Sequence, residues 1–243
     1  MKAVIFCEGT TDLMMIQFVL QYRYGWIYDG FLENAVTNRL LKKVLKHEGS
    51  IIEIRSCGGM MNIPNKLREF QDQMEFASRE EEFFDKIIVL IDHDTMDSNK
   101  TFIDKINAKL DIDLCEEDIN HDKSWKISNF AKEDYKVELH IHCIPEVQTG
   151  AIENIMLEAL ATDSVEENII DRSRKFILET ARNQNRYLQK KSYVSKAVFN
   201  TYFAIRTPEE KYDERAKILK AYNWKDNEIL NNGFSFLDIL AEV

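Results

Sequence analysis

The 243-residue chain predicts an α/β fold: a mainly parallel sheet of four strands with helices on both faces and a helical C-terminal extension. Two observations carry that prediction. Apolar runs of strand length alternate with stretches of helical periodicity, and two of these runs, Ala3–Cys7 and Ile87–Ile91, end directly on acidic residues. Parallel strands covered on both faces read as continuous aliphatic and β-branched runs, and alternation with helices fits right-handed crossovers.

The first strand is Ala3–Cys7. Thr10 or Thr11 can cap a helix whose apolar face is Leu13, Ile16, Phe18 and Leu20 and which stops before Gly25. Leu40, Leu41, Val44 and Leu45 recur at helical spacing, so Glu33–Lys46 is expected to be a second helix. Gly49-Ser50 turns into a strand over Ile51–Ile54. Cys57-Gly58-Gly59 makes a tight turn needing positive φ, and a helix runs from Asn62 to Phe76. Lys86–Ile91 is the third strand and Asn99–Leu110 a helix, followed by a polar, irregular insertion over Asp111–Lys136. Val137–Ile144 is the fourth strand, stopped by Pro145. Beyond it the chain reads as helical. A helix begins in Gly150–Leu157, Ser164-x-x-Glu167 is a capping box, and Thr207-Pro208-Glu209-Glu210 has the cap and the proline of a helix start. The expected division is a sheet domain over 1–149 and a helical extension over 150–243 packed on the sheet.

Composition narrows the function. No repeat or low-complexity tract is present, and five apolar residues before Glu8 are too few for a signal peptide or a membrane span, so a soluble cytoplasmic protein without membrane contact is expected. Cys7, Cys57, Cys115 and Cys143 are widely spaced, which indicates neither a disulfide framework nor a zinc site. A net charge of −10 opposes broad nucleic-acid binding. Yet Arg172, Arg174, Lys175, Arg182, Arg186, Lys190, Lys191 and Lys196 concentrate in one segment holding only Asp171 and Glu179 as acids. That segment is either a solvated helix face or a wall that tracks a phosphate backbone.

In open α/β sheets ligands bind beyond the carboxyl ends of the strands. Two neighbouring strands ending in Glu8 and in Asp92-His93-Asp94 would gather three carboxylates. Such a group repels itself unless a cation joins it, and a hard, oxygen-preferring ion such as Mg2+ (or Mn2+) is the natural counter-charge.

These residues resemble the Toprim superfamily: an apolar strand closing on Glu8-Gly9-x-x-Asp12, a Gly58-Gly59 turn after the second strand, and Asp92-x-Asp94 after the third. The match covers roughly residues 1–113, extended to 145 by the fourth strand. The downstream part is similar to small stand-alone Toprim-like proteins related to OLD nucleases, through Pro145, Gly150-x-Ile152-Glu153-Asn154, Lys196-Ala197, Thr207-Pro208-Glu209 and Phe236-Leu237. The resemblance implies Glu8 as the catalytic glutamate, Asp12 as a second carboxylate of the first motif, Asp92 and Asp94 as the metal-binding pair, and Glu153 as an added ligand. Lys196 would offset charge at the scissile phosphate. Thr95 departs from the pattern, standing where many Toprim proteins have glycine.

Other readings of the same residues are weaker. Asp92-His93-Asp94-Thr95 also resembles the motif of haloacid-dehalogenase-like phosphatases, but Met96 stands where that motif needs Thr. Gly25-x-x-x-x-Gly30 has P-loop spacing, but Phe31-Leu32 replaces Lys-Ser/Thr. His140 and His142 alternate on the fourth strand and are either sheet residues or zinc ligands. The expected function is therefore Mg2+-dependent hydrolysis of phosphodiester bonds in DNA or RNA. The alternative is a non-catalytic or partner-dependent metal-binding Toprim module that works with a separately encoded ATPase or nucleic-acid-binding subunit, a role that would suit phage defence. A homodimer is compatible with either.

Overall fold

Both faces of β1 (Lys2–Cys7) are apolar, and from Ala3 to Cys7 every residue is buried, which puts this strand in the interior of the sheet. The computed structural model describes residues 1–33, 40–110, 112–127, 129, 135–146, 149–183, 186–208 and 212–241. β1 pairs in parallel with β4 (Ser50–Ser56) on one side and β5 (Lys86–Asp92) on the other. Phe6 lies opposite Arg55 and Val89, so β1, β4 and β5 deliver their carboxyl ends to one edge. β7 (Lys136–Ile144) follows β5 in the sheet.

The α/β class is as expected; the strand count is not. The sheet has seven strands in the order β2-β3-β4-β1-β5-β7-β6, and it is mixed, with the four expected strands in its middle. β2 (Ile27–Glu33) and β3 (Leu40–His47) are antiparallel to each other, and β3 is antiparallel to β4. The helix expected over Glu33–Lys46 is therefore corrected: Leu40–Lys46 is strand, and residues 34–39 lie outside the described ones. The physical reason is the turn that follows. Glu48 and Gly49 both take positive φ, 44° and 84°, joining the pair His47↔Ser50 by a tight hairpin turn that commits the preceding chain to pair with β4. Leu45, opposite Ile52, is then buried.

β6 (Asp122–Lys126) is likewise a strand within the expected irregular insertion, antiparallel to β7. Its anchor is Trp125, fully buried opposite Val137.

α1 (Thr10–Tyr24) already includes both threonines expected as caps. Gly9 is its N-cap, the Asp12 carboxylate accepts the Gly9 amide at 2.8 Å, and Gly25 closes the helix at φ 76°. α2 (Ile63–Phe76) and α3 (Ser98–Asn107) fit the expected helices. Leu67 and Phe70 of α2, and Phe102 and Ile106 of α3, share a buried cluster with Val4, Phe6, Ile87 and Val89 of the sheet. Phe6 and Phe70 meet edge-to-face at 5.9 Å. Each such fully buried side chain stabilises by roughly 1.5–3 kcal/mol.

The remaining helices are α4 (Ile152–Leu160), α5 (Ser164–Arg182), α6 (Lys191–Arg206), α7 (Tyr212–Ala221) and α8 (Glu228–Gly233). Asp163, not Ser164, caps α5, accepting the amides of Val165 and Glu166. Thr207 closes α6 instead of opening the next helix: its amide and its hydroxyl both donate to the Phe203 carbonyl. Residues 209–211, where the expected start continues, lie outside the described ones.

The chain divides into two structural units. One comprises Met1–Ile91, Asp97–Cys143 and Phe236–Val243, and the other Asp92–Met96 with Ile144–Ser235. Among the described residues no helix is long and apolar enough to cross a membrane.

Candidate functional site

Asp92, at the end of β5, is only 2 % exposed. The segment after it is pinned through its backbone: the His93 amide donates to the Ile144 carbonyl at 3.0 Å and the His93 carbonyl accepts the Gly150 amide at 2.8 Å. A Cβ at Gly150 would lie 2.6 Å from Asn154 Oδ1, so any larger residue there has to displace that side chain. That oxygen accepts the Ala151 amide at 2.9 Å and so caps α4. The Ile152 amide, in the first turn of α4, in turn donates to the Asp92 carboxylate. A helix N-terminus favours negative charge.

α6 supplies the cations. Lys196 Nζ donates to Asp92 Oδ2. Lys190 Nζ lies 2.5 Å from Asp94 Oδ2, and the Ser192 hydroxyl donates to Asp94 Oδ1. Burial pushes the Asp92 carboxyl above its ordinary pKa, Lys196 pulls against that rise, and the neighbouring Asp94 charge adds to it. Two aspartates, two lysines and a hydroxyl thus form one cluster, all within the second unit.

Of the expected site residues, the cluster unites Asp92, Asp94, Lys190 and Lys196. Glu153 is buried in the first turn of α4, in the same unit. Glu8 and Asp12 belong to the first unit. Asp12 is buried and its carboxylate accepts the Gly9 amide at the start of α1, while Glu8 is half-buried and its carbonyl accepts the Gly58 and Gly59 amides at 2.8 and 2.9 Å. Gly58 and Gly59 have φ of 83° and 117°, as expected of that turn. Gly59 lies in a region open essentially to glycine, so Gly59→Ala is expected to lower stability by about 1–3 kcal/mol, measured by urea unfolding. Arg172, Arg174, Lys175 and Arg182 on α5, with Arg186 and Lys191 beyond it, are exposed. Ser192 was not legible as a site residue. Its one signal is its spacing of four from Lys196, which puts both on one face of α6.

The donors fit a hard divalent cation in kind, since Asp92 and Asp94 offer carboxylate oxygens. Among the described residues, however, no group of three or more His, Cys, Asp or Glu is arranged to hold a metal ion, and each of the two carboxylates already meets a lysine.

His140 and His142, in the first unit, stack with ring centroids 6.5 Å apart and planes 5° from parallel. His140 Nδ1 lies 2.7 Å from Asp122 Oδ1. Both ring nitrogens of His142 are buried without a hydrogen-bond partner among the described residues, and burial lowers this imidazole to about 4.

Comparison with known proteins adds the following. A family model described as protein of unknown function (DUF3226) matches residues 2–242. The crystal structure of hypothetical protein PH0156 from Pyrococcus horikoshii OT3 is similar at 12% identity and a TM-score of 0.45, covering 98% of this chain and 97% of that one. No curated protein matches.

Proposed function

We propose that this chain, which belongs to the DUF3226 family, is a Toprim-type, Mg2+-dependent phosphodiester hydrolase acting on DNA or RNA. The observation that carries the reading is the Asp92–Lys196 pair, which joins a buried acid at a strand end to a lysine 104 residues away. A carboxylate buried so deeply is poor as a stabilising device even with a lysine beside it, because its desolvation offsets much of the attraction. The pair is well suited to chemistry on a phosphate, where acid and base are needed side by side. The strand order β4-β1-β5-β7 within the sheet supports the Toprim reading.

Asp92 and Asp94 would hold the metal; Glu8, Asp12 and Glu153 are the other carboxylates to which the sequence motifs point. When bound, Mg2+ orients the phosphate, offsets developing negative charge and lowers the pKa of water. Lys196 neutralises charge at the phosphate once its ammonium leaves Asp92. Ser192 fixes the orientation of Asp94 by its hydrogen bond. Glu8, if it does not ligate the metal, accepts the proton of the attacking water. The exposed arginines and lysines of α5 seat the nucleic-acid backbone.

The lysines favour a second reading as well. Lys190 and Lys196 meet both aspartates, which suits a resting module that opens only with a partner such as a separately encoded ATPase. Incubation with plasmid, single-stranded DNA and RNA in Mg2+ or Mn2+ tests the choice. Cutting that is lost in Glu8→Gln supports the hydrolase. Inertness on all three substrates, with calorimetric metal binding intact, supports the partner-dependent module. Inertness without metal binding defeats both.

A further inference from the structure

We infer that the segment from Arg186 to Lys196 is a binding platform for an unpaired nucleic-acid strand, whose bases stack on Tyr187 and Tyr193; this rests on the hydrolase reading above and names its substrate class. Tyr187 is 65% and Tyr193 46% exposed. Single exposed aromatics are ordinary on a protein surface. These two differ because each has a cation over it and because they stand in chain order beside the acidic cluster. The Arg186 guanidinium lies 5.2 Å from the Tyr187 ring centroid, and Lys190 Nζ lies 5.4 Å from that of Tyr193. The same Lys190 ammonium is 2.5 Å from Asp94, so one side chain links the second ring to the proposed reaction centre.

Alternating rings and cations match the alternation of bases and phosphates along a single strand. Each ring has a face for a base, and each cation can meet the adjoining phosphate. A paired duplex keeps its base faces stacked inside and has nothing to offer Tyr187 or Tyr193. It can use only the basic side chains, whose contacts are sequence- and strand-independent. Lys190 stands at the start of α6, from where its ammonium reaches both the Tyr193 ring and Asp94. The class of substrate is therefore an unpaired stretch, as in a single strand, a loop or an end, of DNA or RNA.

The test is fluorescence anisotropy with the full chain in EDTA, so that no cleavage occurs, using labelled thymidine and uridine homopolymers and a mixed-sequence duplex. The expected result is binding of one or both unpaired strands at least about tenfold tighter than of the duplex. Tyr187→Ala and Tyr193→Ala should each weaken that binding by about tenfold, with Tyr→Phe at either position retaining it. Thermal melting checks that the variants are folded. Equal or tighter duplex binding, undiminished binding by both alanine variants, or no binding of any strand would overturn the platform. Loss of cleavage with these binding differences intact would count against the hydrolase reading alone.

Discussion

Asp92→Asn is expected to reduce the proposed metal-dependent cleavage by about a hundredfold to a thousandfold while leaving the protein as stable as before, or more so. The two halves of that result have one cause. Asp92 is almost fully buried, and its burial penalises the charged form, so an isosteric amide removes the penalty and keeps the shape. Lys196, released from its partner, is one-third exposed and can be hydrated in place. The reverse change is not symmetrical. Lys196→Met leaves a buried carboxylate without its ammonium and is expected to cost about 2 kcal/mol, short of the 3–5 kcal/mol of a fully buried pair because Lys196 keeps some water. Cleavage rates and melting temperatures of the two variants, measured side by side, check this. An Asp92→Asn protein that melts well below the parent would make the pair a structural prop, and one that cuts normally would remove Asp92 from the chemistry.

The second large effect is on acid stability and comes from His142. Burial first, and the neighbouring His140 second, lower its pKa from 6.5 to about 4, against a smaller opposing pull from Asp122. A histidine depressed in the folded state binds its proton more readily when unfolded, so falling pH favours unfolding. Its contribution is complete above pH 6.5 and is lost as pH falls towards 4. At 1.36 kcal/mol per pKa unit the total is roughly 3 kcal/mol. Urea unfolding at pH 7 and pH 4.5 is expected to show most of this loss in the parent and little of it in His142→Phe, whose ring would sit beside Phe236, now 5.0 Å from the imidazole. Equal pH slopes for the two proteins would mean that His142 is hydrated in solution.

A second linkage in the same unit has the same sign for a different reason. Glu53 is held below the ordinary carboxylate range: burial pushes it up, but Arg55 at 2.6 Å and Lys42 at 3.3 Å outweigh that. Its stabilisation is present above the unfolded carboxylate pKa and is lost as pH falls through the lower folded one. Glu53 and its partners are the same in the parent and in His142→Phe, so their contribution cancels in the comparison of the two pH slopes.

β1 and β5 were legible because both of their faces are apolar, and β4 and β7 because short apolar-rich runs there end at a turn or a proline. The β2–β3 hairpin was not. Leu40, Leu41, Val44 and Leu45 suit a helix as well as a strand, and what decides between them is the Glu48-Gly49 turn and pairing to β4. β6 hid for a similar reason, since Asp122–Lys126 has no apolar alternation beyond Trp125 and gains its strand state from β7. At the candidate site, Asp92 and Asp94 could be singled out from their place after an apolar run, whereas Ser192 and the direction in which Lys190 points depend on how α6 is seated. The assignment of Thr207 to a helix start failed because its hydroxyl serves the C-terminal end of the preceding helix equally well.

The path of the chain through its two units has an engineering consequence. Residues 92–96 leave a strand of the first unit and belong with the helices of the second, so no single cut keeps the acid–lysine cluster whole while separating the units. A fragment stopping at residue 149 would retain the aspartates stripped of Lys190, Ser192 and Lys196, and the complementary fragment would carry those three with nothing to hold. The module cannot be transplanted by halves, and any fusion or minimised version has to carry the loop and α6 as one inheritance.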